Sequence, residues 1–415
     1  MNKKSGIVFV IAIFFGIGSL FAQTSKRVLF IGNSYTEVNN LPQMVANIAQ
    51  SMGDEVIYNA NTPGGCTFMQ HCTNLSMTLI CQGSWDAVVL QEQSQYPSFP
   101  QAQVEAEVFP YAERLVDSIY AHNPCAEPMF YMTWGRKNGD AANAVYFPVL
   151  GTYEGMDSML CERYTYMANT YDAALCPVGR VWRYLRQNHL DLELYQSDGS
   201  HPSLAGTYAA ACAFYVMLFH RNPMQISFNG GLEGNTAQII RTAVRTVVFD
   251  HLSNWQRPEP LADFEVEDIL DNTVSLTSQS LHAHMLTWNF GDGTLLTSSD
   301  SSISHTYPDT GDYTITLVAS RHCMNDTTFS PIHISNTSGI STPQSNPCII
   351  LYPNPAKGTV FIDAPDQHIH IYDITGKLVK TIHMTDNPVT IDISHWKSGV
   401  YYLRSETSTK ILVKQ

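Results

Sequence analysis

The sequence predicts an α/β domain built on a parallel sheet, followed by two small all-β domains. Three observations lead there. Residues 28 to about 252 alternate strand and helix signals. The proline-bearing break Trp255-Gln256-Arg257-Pro258-Glu259-Pro260 then gives way to short alternating strands over 261–336. The polar stretch Ser335 to Ser345 precedes a last run of short strands, Ile349 to Gln415. Strand–helix alternation buries a parallel sheet under helices on both faces. Period-two patterning punctuated by turns gives sandwiches instead. A chain of 415 residues is long enough for two or three domains.

Taken in order, residues 1–22 read as a signal peptide. Asn2-Lys3-Lys4 is basic, Ile7 to Phe21 is apolar apart from Gly and Ser, and Ala22 precedes a cut at Gln23. The alternative, an uncleaved anchor helix, is disfavoured because the apolar run is short of the ~20 residues a membrane span needs, and no stable span is expected after signal removal. Val28-Leu29-Phe30-Ile31 is a buried strand, and Gly32 permits a sharp turn after it. Leu41, Val45, Ile48, Ala49 and Met52 recur at helical spacing. Further strands are expected at Val56-Ile57-Tyr58, Ala87 to Leu90, Met129 to Met132 and Ala173 to Cys176. Helices are expected from Val104 to Ile119 with a break at Pro110, over 154–171, over 178–189, from Leu204 to Phe219, and over 235–252. The run from Leu204 is apolar nearly all round, which reads as a buried core helix.

Composition narrows the function. Apolar residues make up 44% and charged residues only 14%, and the formal charge is −14. Nucleic acid is excluded as a partner, since phosphate binding needs clustered Lys and Arg. Nine cysteines, an odd number, stand at 66, 72, 81, 125, 161, 176, 212, 323 and 348. Export permits disulfides, but spacing does not fix their pairing. No CxxC pair or His-Cys cluster has zinc-ligand spacing, so no metal and no cofactor is expected.

In an open parallel sheet, chemistry collects at the carboxyl ends of the strands. Gly32 to Ser34, Gly64-Gly65, Gln91 to Ser94 and Thr133 to Gly135 all occupy such ends. Ser34 is a candidate nucleophile. His201, downstream in Asp198-Gly199-Ser200-His201-Pro202, is a candidate base, because histidine exchanges a proton near neutral pH. Asp198 can reach that imidazole across one tight turn and fix its tautomer. Oxyanion donors would be the Ser34 N–H, the N–H of Gly65 or Gly64, and a side-chain amide. Either motif alone reads as a turn or a helix cap. Both together, at matching strand ends, point to a triad. Trp134 forms a sugar-stacking wall or packs, and His71 reads as a loop histidine.

These segments resemble the SGNH (GDSL-type) hydrolase family over about residues 26 to 252. The resemblance rests on Gly32-Asn33-Ser34, Gly64-Gly65 and Asp198-Gly199-Ser200-His201-Pro202. It implies a flavodoxin-like three-layer α/β/α fold, with Ser34 as nucleophile and Asp198 and His201 completing the triad. The implied activities are esterase, lipase, thioesterase or carbohydrate deacetylase. Two positions depart from the family pattern. Asn33 stands where an Asp is usual, and Leu90-Gln91-Glu92-Gln93-Ser94 replaces a Gly-x-Asn-Asp. A glutamine amide can donate as an asparagine does, so Gln93 is taken as the donor with Gln91 as second choice. Glu92 could line the substrate pocket.

Residues 259–336 resemble a PKD (polycystic kidney disease-type) Ig-like domain through Trp288-Asn289-Phe290-Gly291-Asp292-Gly293, His305-Thr306-Tyr307 and Gly311-Asp312-Tyr313-Thr314. Asp292 is read there as a turn residue. Residues 346–415 are similar to the C-terminal sorting domain of type IX secretion substrates of Bacteroidetes-type bacteria. Leu351 to Ala356, Ile371 to Lys377 and Ser398 to Leu403 carry that likeness. It implies the type IX secretion machinery as a partner and the cell surface or exterior as the destination. The expected function is a serine ester hydrolase working through an acyl-enzyme on an acylated small molecule or polysaccharide. An inactive surface adhesion protein and a lipase or thioesterase are the alternatives.

Overall fold

A computed structural model describes residues 23–335, 349–364, 368–374, 377–384, 388–405 and 408–415. The expected signal peptide, Cys348 and nearly all of the expected linker lie outside the described residues. The protein divides into two compact units, residues 1–334 and 335–415.

The first unit begins with β1 (Ser25–Ile31), β2 (Glu55–Asn61), β3 (Ala87–Leu90), β4 (Glu127–Tyr131) and β5 (Ala174–Cys176). They form one parallel sheet in the order β2-β1-β3-β4-β5. Successive side chains of β1 feed opposite faces, as the period of two requires. Val28 and Phe30 enter one apolar core, Leu29 and Ile31 the other.

The helices are α1 (Ser34–Glu37), α2 (Leu41–Ser51), α3 (Phe68–His71), α4 (Leu75–Cys81), α5 (Gln101–Glu107) and α6 (Phe109–His122). Then come α7 (Ala141–Ala144), α8 (Tyr153–Thr170), α9 (Val178–Asn188), α10 (Leu204–Phe219) and α11 (Gly234–Val247). Residues of α2, α9, α10 and α11 pack on the Val28 face, and residues of α4, α6 and α8 on the Leu29 face. The result is a three-layer α/β/α domain. Every residue of α10 from Ala205 to Leu218 is buried, as the all-round apolar pattern predicts. Pro110 falls in the first turn of α6, where its missing N–H costs no helix bond, and the chain breaks before it at Val108. The sequence analysis did not anticipate α3, α4 and α7. Each has seven residues or fewer, too short for a helical period to show.

The rest of the first unit is antiparallel: β6 (Phe264–Leu270), β7 (Thr273–Ser278), β8 (Met285–Asn289), β9 (Leu295–Ser298), β10 (Ser302–Thr306), β11 (Gly311–Arg321) and β12 (Met324–Ile334). Two sheets, β10-β7-β6 and β12-β11-β8-β9, enclose Leu276, Trp288, Phe290, Tyr307, Ile315 and Leu317. Asp292 accepts from the Thr294 amide at 2.8 Å within its turn and pairs with His305 at 2.7 Å.

This sandwich is fixed to the α/β domain by a disulfide, Cys125–Cys323. Beside it, Arg321 Nε donates to Asp172 Oδ2 at 2.6 Å and its terminal nitrogen lies 2.5 Å from Oδ1. The His322 ring stacks on Tyr120 at 3.5 Å and contacts Asp172 at 2.9 Å. Cys125 and Asp172 stand two positions before β4 and β5, so the joint lies at the amino ends of parallel strands. Asp172, His284 and His322 bring three possible metal-ligand atoms within 4.8 Å of one another. The Arg321 guanidinium already neutralises that carboxylate and opposes a second cation, and we assign no metal there.

In the second unit, β13 (Ile350–Tyr352), β14 (Thr359–Asp363) and β17 (Val389–Asp392) form one sheet. A second comprises β15 (His368–Asp373), β16 (Leu378–His383), β18 (Gly399–Arg404) and β19 (Thr409–Lys414). Val360, Ile362, Ile369, Ile371, Leu403 and Leu412 are among the residues of its core. Among the described residues, no helix is long and apolar enough to cross a membrane.

Candidate active site

Ser34 follows β1 as the first residue of α1, with Asn33 as its cap. Gly32 is obligatory at the turn between them: a Cβ there would meet Thr36 Oγ1 at 2.5 Å and Gln91 Oε1 at 2.7 Å. The one-turn helix ends at Val38, whose ψ of 135° leaves the helical range, and Asn39 and Asn40 then take left-handed conformations, φ 56° and 51°, before α2 begins.

The second half comes from the loop ahead of α10. Gly199 turns it with φ +66°. Asp198 Oδ1 then accepts from the amides of Ser200 at 2.9 Å and His201 at 3.0 Å. Its other oxygen lies 2.5 Å from His201 Nδ1. A carboxylate can only accept, so Nδ1 carries a proton, and in the neutral ring Nε2 is then the bare nitrogen. His201 Nε2 lies 2.9 Å from Ser34 Oγ, so the hydroxyl donates to it. Burial pushes the Asp198 carboxyl up, but hydrogen bonds from the His201 ring and the two amides outweigh it and hold the group below the ordinary range. The structure thus brings Ser34, His201 and Asp198 into one chain of hydrogen bonds. The His201 side chain is 33% exposed and that of Asp198 45%.

An aromatic stack supports this loop from beneath. Trp134 is fully buried between Tyr35, stacked at 4.8 Å, and Trp182, stacked at 3.7 Å. Trp134 therefore packs and is no exposed sugar platform. Its indole N–H donates to the Ser200 carbonyl at 3.1 Å, and Tyr35 Oη lies 2.6 Å from Ser200 Oγ. Tyr35 also meets the His201 ring edge-on at 5.4 Å.

On the other side of Ser34 lie the loops after β2 and β3. Cys66 N–H closes a turn on the Pro63 carbonyl at 3.1 Å. Gly64 and Gly65 form its exposed middle, Gly65 with φ +68°, a conformation that favours glycine. Asn33 ties the loops together. Its Nδ2 donates to the carbonyls of Cys66 at 3.1 Å and Glu92 at 3.3 Å, and its Oδ1 accepts from the Tyr35 amide. An amide can both donate and accept here, which an aspartate could not do.

Gln91, the second-choice donor, is turned inward. It is fully buried. Its Nε2 donates to Asn33 Oδ1 at 2.9 Å and to the Glu92 carbonyl, so both N–H are spent. Its Oε1 accepts from the Asn33 amide and Thr36 Oγ1. Gln93 is half-buried. Gln95 holds both ends of its amide: the Gln95 N–H donates to Gln93 Oε1 at 2.8 Å, and Gln93 Nε2 donates to Gln95 Oε1 at 3.2 Å. One N–H of Gln93 has no partner among the described residues.

Two further residues were misread from sequence. Glu92 does not line a pocket, being fully buried. Its carboxylate accepts from the Phe68 amide, 3.1 and 3.0 Å to its two oxygens, and from the Gln93 amide at 2.5 Å. Burial raises this group to about 8 against the pull of those amides. His71 is likewise fully buried rather than a loop residue. Its Nε2 donates to the Gly32 carbonyl at 2.9 Å, and Nδ1 faces Ser76 Oγ at 2.8 Å. Burial lowers its proton affinity, so the ring is held neutral. One polar letter inside a short loop does not reveal whether it faces inward.

No curated protein matches the chain. Three solved structures show its similarities. A DUF4886 family protein from Bacteroides uniformis is 19% identical with a TM-score of 0.47, over 54% of this chain and 94% of its own. A proposed SGNH hydrolase from Slackia heliotrinireducens is 27% identical with a TM-score of 0.38, over 46% of this chain and 97% of its own. The PKD1 domain of Vibrio anguillarum Epp is 23% identical with a TM-score of 0.17, over 19% of this chain and 94% of its own. Residues 260–334 match the PKD domain family and residues 350–415 the secretion system C-terminal sorting domain family. The chain therefore joins an α/β domain to a PKD domain and to the sorting domain that directs type IX secretion substrates to the cell surface.

Proposed function

We propose that residues 26–252 form a serine ester hydrolase of SGNH type, presented at the cell surface, that works through an acyl-enzyme. The observation that carries this reading is the unbroken chain Ser34 Oγ, His201 Nε2, His201 Nδ1, Asp198 Oδ2, with spacings of 2.9 and 2.5 Å. In this reading Ser34 Oγ attacks the ester carbonyl carbon while His201 Nε2 takes its proton. Asp198 stabilises the imidazolium without taking the proton itself. The oxyanion is met by the amides of Ser34 and Gly65 or Gly64 and by the free N–H of Gln93. Collapse of the tetrahedral intermediate expels the alcohol, which receives the proton from His201. Water, activated by the same histidine, then releases the acid.

An acylated carbohydrate or glycoconjugate suits an exported enzyme carrying a PKD domain. Because the joint to that domain lies at the amino ends of β4 and β5, away from the Ser34 edge, the PKD domain acts as a mount that contributes no group to the reaction. The test is hydrolysis of p-nitrophenyl acetate by the wild type and by Ser34→Ala. Release that stops in the variant supports the reading. Equal slow release from both would leave a surface adhesion protein. A chain-length series separates deacetylation from lipase or thioesterase activity, the latter two favouring long acyl groups.

A further inference from the structure

We infer that Glu92 is a positioning residue whose buried carboxyl group holds the two oxyanion-donating loops at a fixed separation beside Ser34. This rests on the hydrolase reading for its meaning, though not for its geometry.

Each loop that carries a donor in that reading is fastened to the same side chain. Phe68, the first residue of α3, presents its amide to both carboxylate oxygens, and Phe68 is joined to Gly65 through Cys66 and Thr67 alone. Gln93 presents its amide to Oε1, and the Gln93 side chain is the free donor. The main chain of Glu92 adds two more ties. Its carbonyl accepts from Asn33, the neighbour of Ser34, and its N–H donates to Tyr164 Oη at 3.2 Å. One residue therefore links the ends of β1, β2 and β3 and anchors them to α8.

The chemistry of the carboxyl matters as much as its place: burial keeps it protonated up to about 8, so the comparison with an amide is made at pH 9, where the group is ionised. Its three contacts are all with N–H donors, and no lysine or arginine pairs with it among the described residues. A buried carboxyl that served only to fill space would be replaced at little cost by an apolar side chain of that size. Glutamine is the sharper substitute. It keeps shape and volume but turns one acceptor oxygen into an NH2, which faces amide donors. With its oxygen in the Oε1 position the amide still accepts from both N–H groups, so the conflict falls on the Phe68 amide, which meets the new NH2 where it now donates to Oε2 at 3.0 Å. An oxyanion donor gains its effect from being held in place before charge develops, so loosening either loop acts on the transition state more than on substrate binding.

The experiment, at pH 9, compares the full chain with Glu92→Gln and Glu92→Asp by amide hydrogen exchange, and measures kcat and KM on p-nitrophenyl acetate with Ser34→Ala as the blank. In folded Glu92→Gln, peptides spanning 64–70 should exchange about tenfold faster or more, with a smaller rise over 91–95, while peptides spanning 198–203 and 311–334 stay as in the wild type. kcat should fall about 100-fold with KM nearly unchanged, and Glu92→Asp should recover part of both. Wild-type exchange in both segments, or a uniform rise over the whole chain, would overturn the assignment. So would an unchanged kcat in an active enzyme. If the wild type and Ser34→Ala prove equally inactive, the hydrolase reading has failed, and the exchange pattern alone still decides whether Glu92 clamps the two loops.

Discussion

The two sides of Ser34 are built on opposite physical plans. The acid–base side is a surface turn: Asp198 and His201 are partly exposed, joined across three residues, and steadied from below by the Tyr35, Trp134 and Trp182 stack. The amide side is buried: Asn33, Gln91 and Glu92 lie inside, each bonded to the others or to neighbouring main chain. A group that must shuttle protons with substrate and water has to stay in contact with solvent. Donors that must not move at the moment of reaction are better fixed in a low-dielectric interior. On the proposed reading, the difference teaches that exposure on one side and burial on the other are two halves of one catalytic design.

Breaking the exposed side should have the largest effect. Ser34→Ala is expected to lower kcat about 10⁴- to 10⁶-fold, read as initial rates on p-nitrophenyl acetate above the buffer rate. Asp198→Asn keeps the shape but removes the charge that sets the His201 tautomer, and should cost about 10⁴-fold in kcat. A smaller loss there would mean the exposed carboxylate is partly replaced by water. On the buried side, Gln93→Ala should lower kcat about 100-fold with little change in KM. An unchanged kcat would remove Gln93 from the donor set. Trp134→Phe sharpens the comparison by keeping the ring stack while deleting the hydrogen bond to the Ser200 carbonyl. About 1 kcal/mol of stability should go with it, measured by urea denaturation, with kcat lowered severalfold.

The smallest effect concerns pH. Glu92 holds its proton in the fold up to about 8, against a reference of 4.5. Between those values the folded state binds more protons than the unfolded one, so stability falls as pH rises through that window. The urea midpoint of the wild type should therefore drop more between pH 5 and pH 8 than that of Glu92→Gln. Parallel midpoints would show that Glu92 ionises as easily inside the fold as outside.

The same contrast explains what the sequence revealed. Strands β1 to β5 were legible because a parallel sheet buried on both faces needs continuous apolar runs such as Ala87 to Leu90 and Met129 to Tyr131. Asp198 and His201 were legible because their interaction is local and crosses a single turn. Gln91, Glu92 and His71 were not. Their roles depend on which way a side chain points within a loop, and Gln91 and Gln93 differ in direction rather than in chemistry. The Cys125–Cys323 pairing spans 198 residues, and nothing near either cysteine announces the other. The short helices α3 and α4 stayed hidden for want of a full period, although α3 places the amide that Glu92 holds.

Stoichiometric labelling by a fluorophosphonate tests the central claim most directly, because phosphonylation requires an activated serine but no knowledge of the natural ester. The account predicts one adduct per chain, located by mass spectrometry on the peptide carrying Ser34 and absent from Ser34→Ala and His201→Ala. An unlabelled wild type, or an adduct that persists in Ser34→Ala, would contradict it.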